Sequence, residues 1–70
     1  MTIHDIIAEA RAERKNATRG CDLDYKDVAS YMSQTIRDVA DRHGVPGLVR
    51  DMPDGGSCPR SFLDWLDRNE

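Results

Sequence analysis

His4, Cys21, His43 and Cys58 are the side chains of this sequence that are best suited to ligand or nucleophile chemistry. Zinc sites take imidazole and thiolate ligands in closely spaced pairs, and no two of these four residues have such a spacing. The two cysteines are too widely separated to indicate a disulfide framework, so both are expected to be free thiols. We therefore expect no metal and no cofactor.

Cys58 is the candidate nucleophile, because it lies at the predicted start of the last helix, beside Arg60. A helix N-terminus and a neighbouring cation both favour the thiolate form of cysteine, and His43 could act as its base. Nothing else resembles a catalytic set, and 70 residues leave little room for a substrate pocket. A structural thiol is the simpler interpretation, so the sequence predicts that the protein is not an enzyme.

The tetrapeptide Asp54-Gly55-Gly56-Ser57 precedes the same helix. Free N–H groups that follow two glycines can bind an anion at a helix N-terminus. However, Pro59 removes one of these donors, and the carboxylate of Asp54 would repel an anion. The sequence instead favours a helix-capping turn, with Ser57 as the predicted N-cap.

Basic residues recur at steps of three and four beyond the first isoleucines. They are Arg11, Arg14, Lys15 and Arg19. These side chains are expected to form a basic corner that could contact phosphate groups or an acidic partner. The whole chain carries a net charge of −3, which argues against a general nucleic-acid binder.

The element around which the chain is organised is a central helix, predicted from Asp24 to His43. Its apolar residues follow steps of three and four and therefore form one stripe. The stripe consists of Tyr25, Val28, Ala29, Met32, Ile36, Val39, Ala40 and His43. Asp24 is a good N-cap, Gly44 can take the left-handed conformation that ends a helix, and Pro46 prevents continuation.

Part of this stretch also fits core positions of a helix-turn-helix, which is a DNA-binding motif. Ser33 stands where the turn usually has glycine, and Gln34 stands where an apolar residue is usual. The recognition helix would contain Asp38 and Asp41, which the phosphates of DNA would repel. One continuous helix explains these residues more simply, and a degenerate helix-turn-helix is kept as the alternative.

Two further helices are predicted to pack on the central one. The first extends from about Ile3 to Asn16, with Thr2 as its N-cap. The last begins at Cys58 or Pro59 and extends to Arg68. A short connection of residues 18–22 makes the first two helices antiparallel neighbours.

Residues 44–57 form the irregular part of the chain, where Leu48, Val49 and Met52 are expected to fold back on the core. The sequence therefore predicts an all-α fold, a compact bundle of three helices with an irregular loop between the second and third. Residues 1–70 are expected to form one small domain. The chain has no signal peptide and no long apolar run, which predicts a cytoplasmic protein without a membrane segment.

More apolar residues are present than a core of this size can easily enclose, so an exposed patch is expected. We expect Tyr31 and Trp65 to anchor a partner, with Arg37 and Arg60 as a polar rim, because aromatic residues and arginine are favoured at interfaces. The central helix also has the spacing of a helix–helix seam. That seam would consist of Tyr25, Ala29, Met32, Ile36, Val39 and His43.

By elimination, the predicted function is that of a small non-enzymatic interaction protein, an adaptor, inhibitor or regulator. Its partner would be another protein, a second copy of the chain, or both. Chains of this size are common in phages and other mobile elements, where binding a host protein is a usual task, and this step is analogy. The alternatives are a DNA-binding transcriptional regulator and a thiol-dependent redox protein that uses Cys58.

Overall fold

The computed structural model describes residues 1–17 and 24–70. It contains three α-helices, which are α1 at Ile3–Ala17, α2 at Tyr25–Arg42 and α3 at Pro59–Asn69. A short 3-10 helix, Pro46–Val49, lies between α2 and α3. The described residues contain no β-strand. The predicted all-α bundle of three helices, with an irregular loop before the last one, is confirmed.

Residues at the helix ends determine where α1 begins and where α2 begins and ends. At α1, the carboxylate of Asp5 accepts a bond of 2.9 Å from the backbone N–H of Thr2, and this N–H is the main reason that the pKa of Asp5 lies below its usual value. At α2, Asp24 Oδ1 accepts the N–H of Asp27 at 3.0 Å. Gly44 ends α2 with a φ of 71°, the left-handed conformation that glycine adopts without strain.

The central helix α2 packs against α1, α3 and the 3-10 helix. All of these elements contribute apolar side chains to one core. Its members are Ile6, Ile7, Ala10, Ala29, Met32, Ile36, Val39, Ala40, Val49, Met52, Phe62, Trp65 and Leu66. Burial of this apolar surface is the main stabilising term for a domain of this size.

Contacts between α1 and α2 show that these two helices run antiparallel, as predicted. Glu9 in the first half of α1 lies 3.0 Å from His43 just after α2, whereas Arg14 in the second half bonds to Thr35. Going forward along α1 from Glu9 to Arg14 therefore leads back along α2, from His43 to Thr35.

The loop before α3 touches the backbone of α2 at Gly55. The N–H of Gly55 donates a bond of 3.2 Å to Ser33 Oγ. A Cβ at Gly55 would overlap the backbone carbonyl of Ala29 and would lie 2.7 Å from Ser33 Oγ. The absence of a side chain is therefore what allows this close approach, which places the start of α3 against α2.

Three of the predicted core positions lie nearer the surface than expected. Tyr25 and Val28 are 46% and 37% exposed, and Leu48 on the 3-10 helix is 37% exposed. Leu48 was therefore wrongly assigned to the core, whereas its neighbours Val49 and Met52 are buried as predicted. The stripe of α2 is buried from Ala29 to Ala40 and is exposed at its start and at His43, its predicted last member.

Candidate functional site

The first half of α2 exposes three large apolar side chains on one side of the helix. Tyr25, Val28 and Tyr31 are 46%, 37% and 40% exposed, and they follow one another at steps of three. We call these three residues the Tyr31 surface. Contiguous exposed apolar groups on a small domain are typical of interaction sites, whereas single ones are not.

The Tyr31 surface is exposed because the core between α1 and α2 ends at Arg14. By its spacing, Arg14 continues the apolar side of α1 that includes Ile7 and Ala10. Its Nε donates a bond of 2.6 Å to Thr35 Oγ1, and its guanidinium carbon lies 5.0 Å from the centroid of the Tyr31 ring. A polar contact thus replaces the apolar packing that would otherwise continue towards Val28.

The same contact holds Tyr31 in place. The guanidinium of Arg14 lies over the ring, which is a cation–π geometry worth roughly 0.5–1 kcal/mol at exposed sites. The hydroxyl of Thr35 also donates a bond of 2.8 Å to the backbone carbonyl of Tyr31. Tyr31 is therefore an exposed aromatic side chain whose ring is contacted by Arg14 and whose backbone is bonded to Thr35.

The opposite end of the α1–α2 pair is closed by charged side chains. Arg42 donates to both carboxylate oxygens of Glu13, at 3.1 and 3.2 Å, and lies 3.5 Å from Glu9. His43 Nε2 lies 3.0 Å from Glu9. The hydrogen bond between Arg42 and Glu13 is the main reason that the pKa of Arg42 lies above its usual value. Arg42 and His43 at the end of α2 thus both contact carboxylates of α1.

Trp65 is buried, and the expectation that it anchors an exposed patch is wrong. It is 2% exposed, and its ring packs on Phe62 with a centroid separation of 6.1 Å. Its Nε1 has no hydrogen-bond partner among the described residues. The amphipathic pattern of α3 directs both aromatic rings towards the core, so that Arg60 remains on the exposed side without the aromatic anchor expected beside it.

The predicted helix–helix seam is also wrong, because most of its members belong to the core. Ala29, Ile36 and Val39 are fully buried, and Met32 is 5% exposed. They pack within the domain and are not available to a partner. Tyr31 was placed outside this stripe by its spacing, and the structure confirms that it is exposed.

The basic corner is not an open patch. Arg11 forms an ion pair with Glu70, and Arg14 is bonded to Thr35. Lys15 is exposed, and Arg19 lies outside the described residues. Two of its four cations are therefore engaged within the domain, which weakens the expectation that this corner contacts phosphate or an acidic partner.

The turn required for a helix-turn-helix is absent from α2, which is one continuous helix from Tyr25 to Arg42. Ser33 lies inside this helix, where its hydroxyl donates a bond of 3.0 Å to the carbonyl of Ser30 and accepts the N–H of Gly55. A serine that sequence comparison with the motif would place in a turn is instead a buried contact to the loop.

The turn before α3 is occupied by the carboxylate of Asp54. Asp54 accepts the N–H of Gly56 at 2.9 Å and the hydroxyl of Ser57 at 3.2 Å, and these bonds, the first above all, lower its pKa. Ser57 is therefore not the N-cap, which is Cys58 and makes no side-chain capping bond. The N–H of Gly56 thus binds a carboxylate of the chain itself, and the anion site that the sequence did not favour is not formed by this N–H.

The remaining candidate chemistry is not brought together in the described part of the chain. Cys58 is an exposed free thiol, whereas His43, its predicted base, pairs with Glu9. Cys21 lies outside the described residues. Residues 1–17 and 24–70 contain no group of three His, Cys, Asp or Glu side chains that could hold a metal, and no helix among them is long and apolar enough to cross a membrane.

Arg37 is exposed on a different side of α2, where it lines a polar groove of about 390 Å³ with Asp38, Asp41 and Asp54. It is therefore not a rim residue around Trp65.

Comparisons of the chain with protein-family models, with curated proteins and with solved structures return no match. The interpretation of the Tyr31 surface accordingly depends on its geometry and chemistry.

Proposed function

We propose that the protein acts by binding a partner protein through the Tyr31 surface, as an adaptor, inhibitor or regulator in the cytoplasm. The observation that carries this proposal is the exposure of Tyr25, Val28 and Tyr31 on one side of α2. The part of the apolar stripe from Ala29 to Ala40 is enclosed in the core. When a partner covers exposed apolar surface of this kind, the free energy decreases, which favours binding.

The composition of the surface suits binding. Tyrosine is among the residues that contribute most to protein interfaces, because its ring is large and its hydroxyl can form hydrogen bonds. The ring of Tyr31 is also held in advance by its contact with Arg14. A side chain that is already ordered loses less conformational entropy on binding, which favours affinity.

The proposal is tested with two matched variants, Val28→Asn and Leu48→Asn. Both residues are 37% exposed, but Val28 belongs to the Tyr31 surface and Leu48 lies on the 3-10 helix. Tagged protein is used to capture partners from the native cytosol after nuclease treatment, and captured proteins are quantified by mass spectrometry. We expect at least one protein that both the original chain and Leu48→Asn retain and that Val28→Asn loses by about tenfold, corresponding to about 1.4 kcal/mol.

Two results would contradict the proposal. Equal capture by all three proteins would show that the Tyr31 surface does not bind the partner. A captured protein that disappears on nuclease treatment would indicate an indirect association through nucleic acid and would favour the DNA-binding alternative. Circular dichroism of both variants excludes loss of the fold as the cause.

A further inference from the structure

Acidic side chains lie along α2 on the same side as Tyr31. Asp24 and Asp27 precede Tyr31 and Asp38 follows it, at helical steps of three, four and seven, which place all four residues along one side of the helix. All three carboxylate residues are exposed. The Tyr31 surface is therefore bordered on its own helix by negative charge.

The described cations act on these carboxylates only without direct contact, as Arg42 does on Asp38, whose charge contributes to the raised pKa of Arg42. No ion pair joins Asp27 or Asp38 to a basic residue within the described ranges. Arg42 follows on the same side of the helix, but it is shared between Glu13 and Glu9, which bring two negative charges to one positive charge. Arg14 places one positive charge over the Tyr31 ring. The three carboxylates on this side of α2 still outnumber that cation.

The two basic residues of α2 that make no ion pair among the described residues lie away from this side. Lys26 and Arg37 are five residues before and six residues after Tyr31, spacings that place them more than a quarter turn around the helix. Arg37 also lines the groove that contains Asp54, and its positive charge contributes to the lowered pKa of that carboxyl group. Lys26 therefore does not offset the charge beside Tyr31, whereas Arg37 lines the same groove as Asp38 and balances part of the charge at that end.

We propose that the partner presents a basic segment, rich in arginine or lysine, to the Tyr31 side of α2; this inference rests on the proposed function. Positive side chains would pair with Asp27 and Asp38 and would stack on the exposed tyrosine rings, as Arg14 stacks on Tyr31 within the domain. A second copy of the chain is a poor occupant, because two such faces would bring like charges together. The partner is thus a different protein with a basic surface.

The test uses a labelled deca-arginine peptide as the probe and deca-glutamate as its control. Two charge-matched variants are compared: Asp27→Asn with Asp38→Asn on α2, and Asp64→Asn with Asp67→Asn on α3. All four residues are exposed, and each variant removes two carboxylates, so the net charge changes equally. We expect the α2 variant to bind deca-arginine about fivefold or more weakly than the original chain, and the α3 variant to bind it less than twofold more weakly. In nuclear magnetic resonance spectra of the original chain, adding deca-arginine should shift the backbone amide signals around Tyr31.

Equal weakening in the two variants, or shifts centred on α3, would show attraction by net charge alone and would overturn the inference. Tighter binding of deca-glutamate would overturn it as well. The capture experiment separates this inference from the proposed function. If Val28→Asn loses a partner that the α2 variant fully retains, the proposed function stands and a basic partner is contradicted. If Val28→Asn does not affect capture, the proposed function itself is contradicted.

Discussion

The two halves of α2 carry similar amphipathic patterns but lie in different surroundings. In the second half, Ile36, Val39 and Ala40 are completely buried, and in the first half Val28 and Tyr31 are more than one third exposed. The neighbour makes the difference, because α1 contributes isoleucines to the core, whereas the side chain that it places over Tyr31 in the first half of α2 is Arg14. An apolar stripe thus indicates which side of a helix faces inward, whereas the facing element decides how far along the helix the core extends.

The largest expected contrast between these halves is between Ile36→Asp and Val28→Asp. A charge at Ile36 would be buried without a partner, at a cost of several kcal/mol, whereas a small domain has only about 3–5 kcal/mol of stability. Val28→Asp places its charge where water can reach it and should change the free energy of unfolding by less than about 1 kcal/mol. Thermal melts followed by circular dichroism should show Ile36→Asp unfolded. A cooperative melt near that of the original chain would mean that this half of α2 is not buried.

The next largest effect is expected at the contact between the loop and α2. Gly55→Ala forces a methyl group into the backbone of Ala29 and should lower the free energy of unfolding by about 2–3 kcal/mol. Gly47→Ala is the control, because a Cβ there would have no neighbour within 4 Å, and its stability should be unchanged or raised by up to about 1 kcal/mol. Urea unfolding measures both. Similar stabilities for the two variants would show that the loop does not approach α2 closely.

Most of the fold follows from local sequence, because helix ends depend on neighbouring residues. Asp24, Gly44 and Pro59 determine where helices begin or end through backbone geometry and hydrogen bonds within a few positions. The role of Gly55 is different, since its contact with Ala29 joins residues far apart in the chain. Nothing in the glycine pair itself distinguishes a flexible turn from a close approach to a helix.

For the candidate site, too, the features that depend on one helix could be predicted from the sequence, and those that depend on contacts between helices could not. Tyr31 lies off the apolar stripe, so its exposure could be predicted from helix geometry before its contact with Arg14 was known. The burial of Trp65 depends on how α3 docks on α2, and tryptophan is common both in cores and at interfaces. Arg14 lies on the side of α1 that carries Ile7 and Ala10. This spacing indicates from the sequence that the core between α1 and α2 ends at Arg14. An arginine on an apolar stripe indicates such a boundary, because its charged group must find polar partners.

A moderate effect should separate two members of the basic corner. Arg14→Gln removes the bond to Thr35 and the contact with the Tyr31 ring, and it should lower the free energy of unfolding by about 1–2 kcal/mol. Arg11→Gln removes only a surface ion pair with Glu70 and should cost less than about 0.5 kcal/mol. Urea unfolding of both variants provides the comparison. Equal losses would show that Arg14 contributes no more than a surface charge.

The smallest expected effect concerns pH and the turn at Asp54. Hydrogen bonds from Gly56 and Ser57 lower the pKa of Asp54 below the ordinary value of 3.8. The ionised carboxylate therefore adds stability above about pH 4, and this contribution is lost as the pH falls through the lowered pKa. Asp54→Asn should show a smaller decrease in melting temperature between pH 5 and pH 2.5 than the original chain, whereas the control Asp51→Asn should not. An unchanged pH dependence in Asp54→Asn would contradict this assignment.

The central claim is that the exposed half of α2 contacts a partner while the rest of the domain surface does not. Photo-crosslinking inside cells tests it most directly, with benzoylphenylalanine placed at Tyr31 in one protein and at Leu48 in another. Both residues are similarly exposed, at 40% and 37%, and both tolerate an aromatic group because they face solvent. We predict a defined adduct with another protein from position 31 and none from position 48. No adduct at position 31, or the same adduct from both positions, would contradict the account.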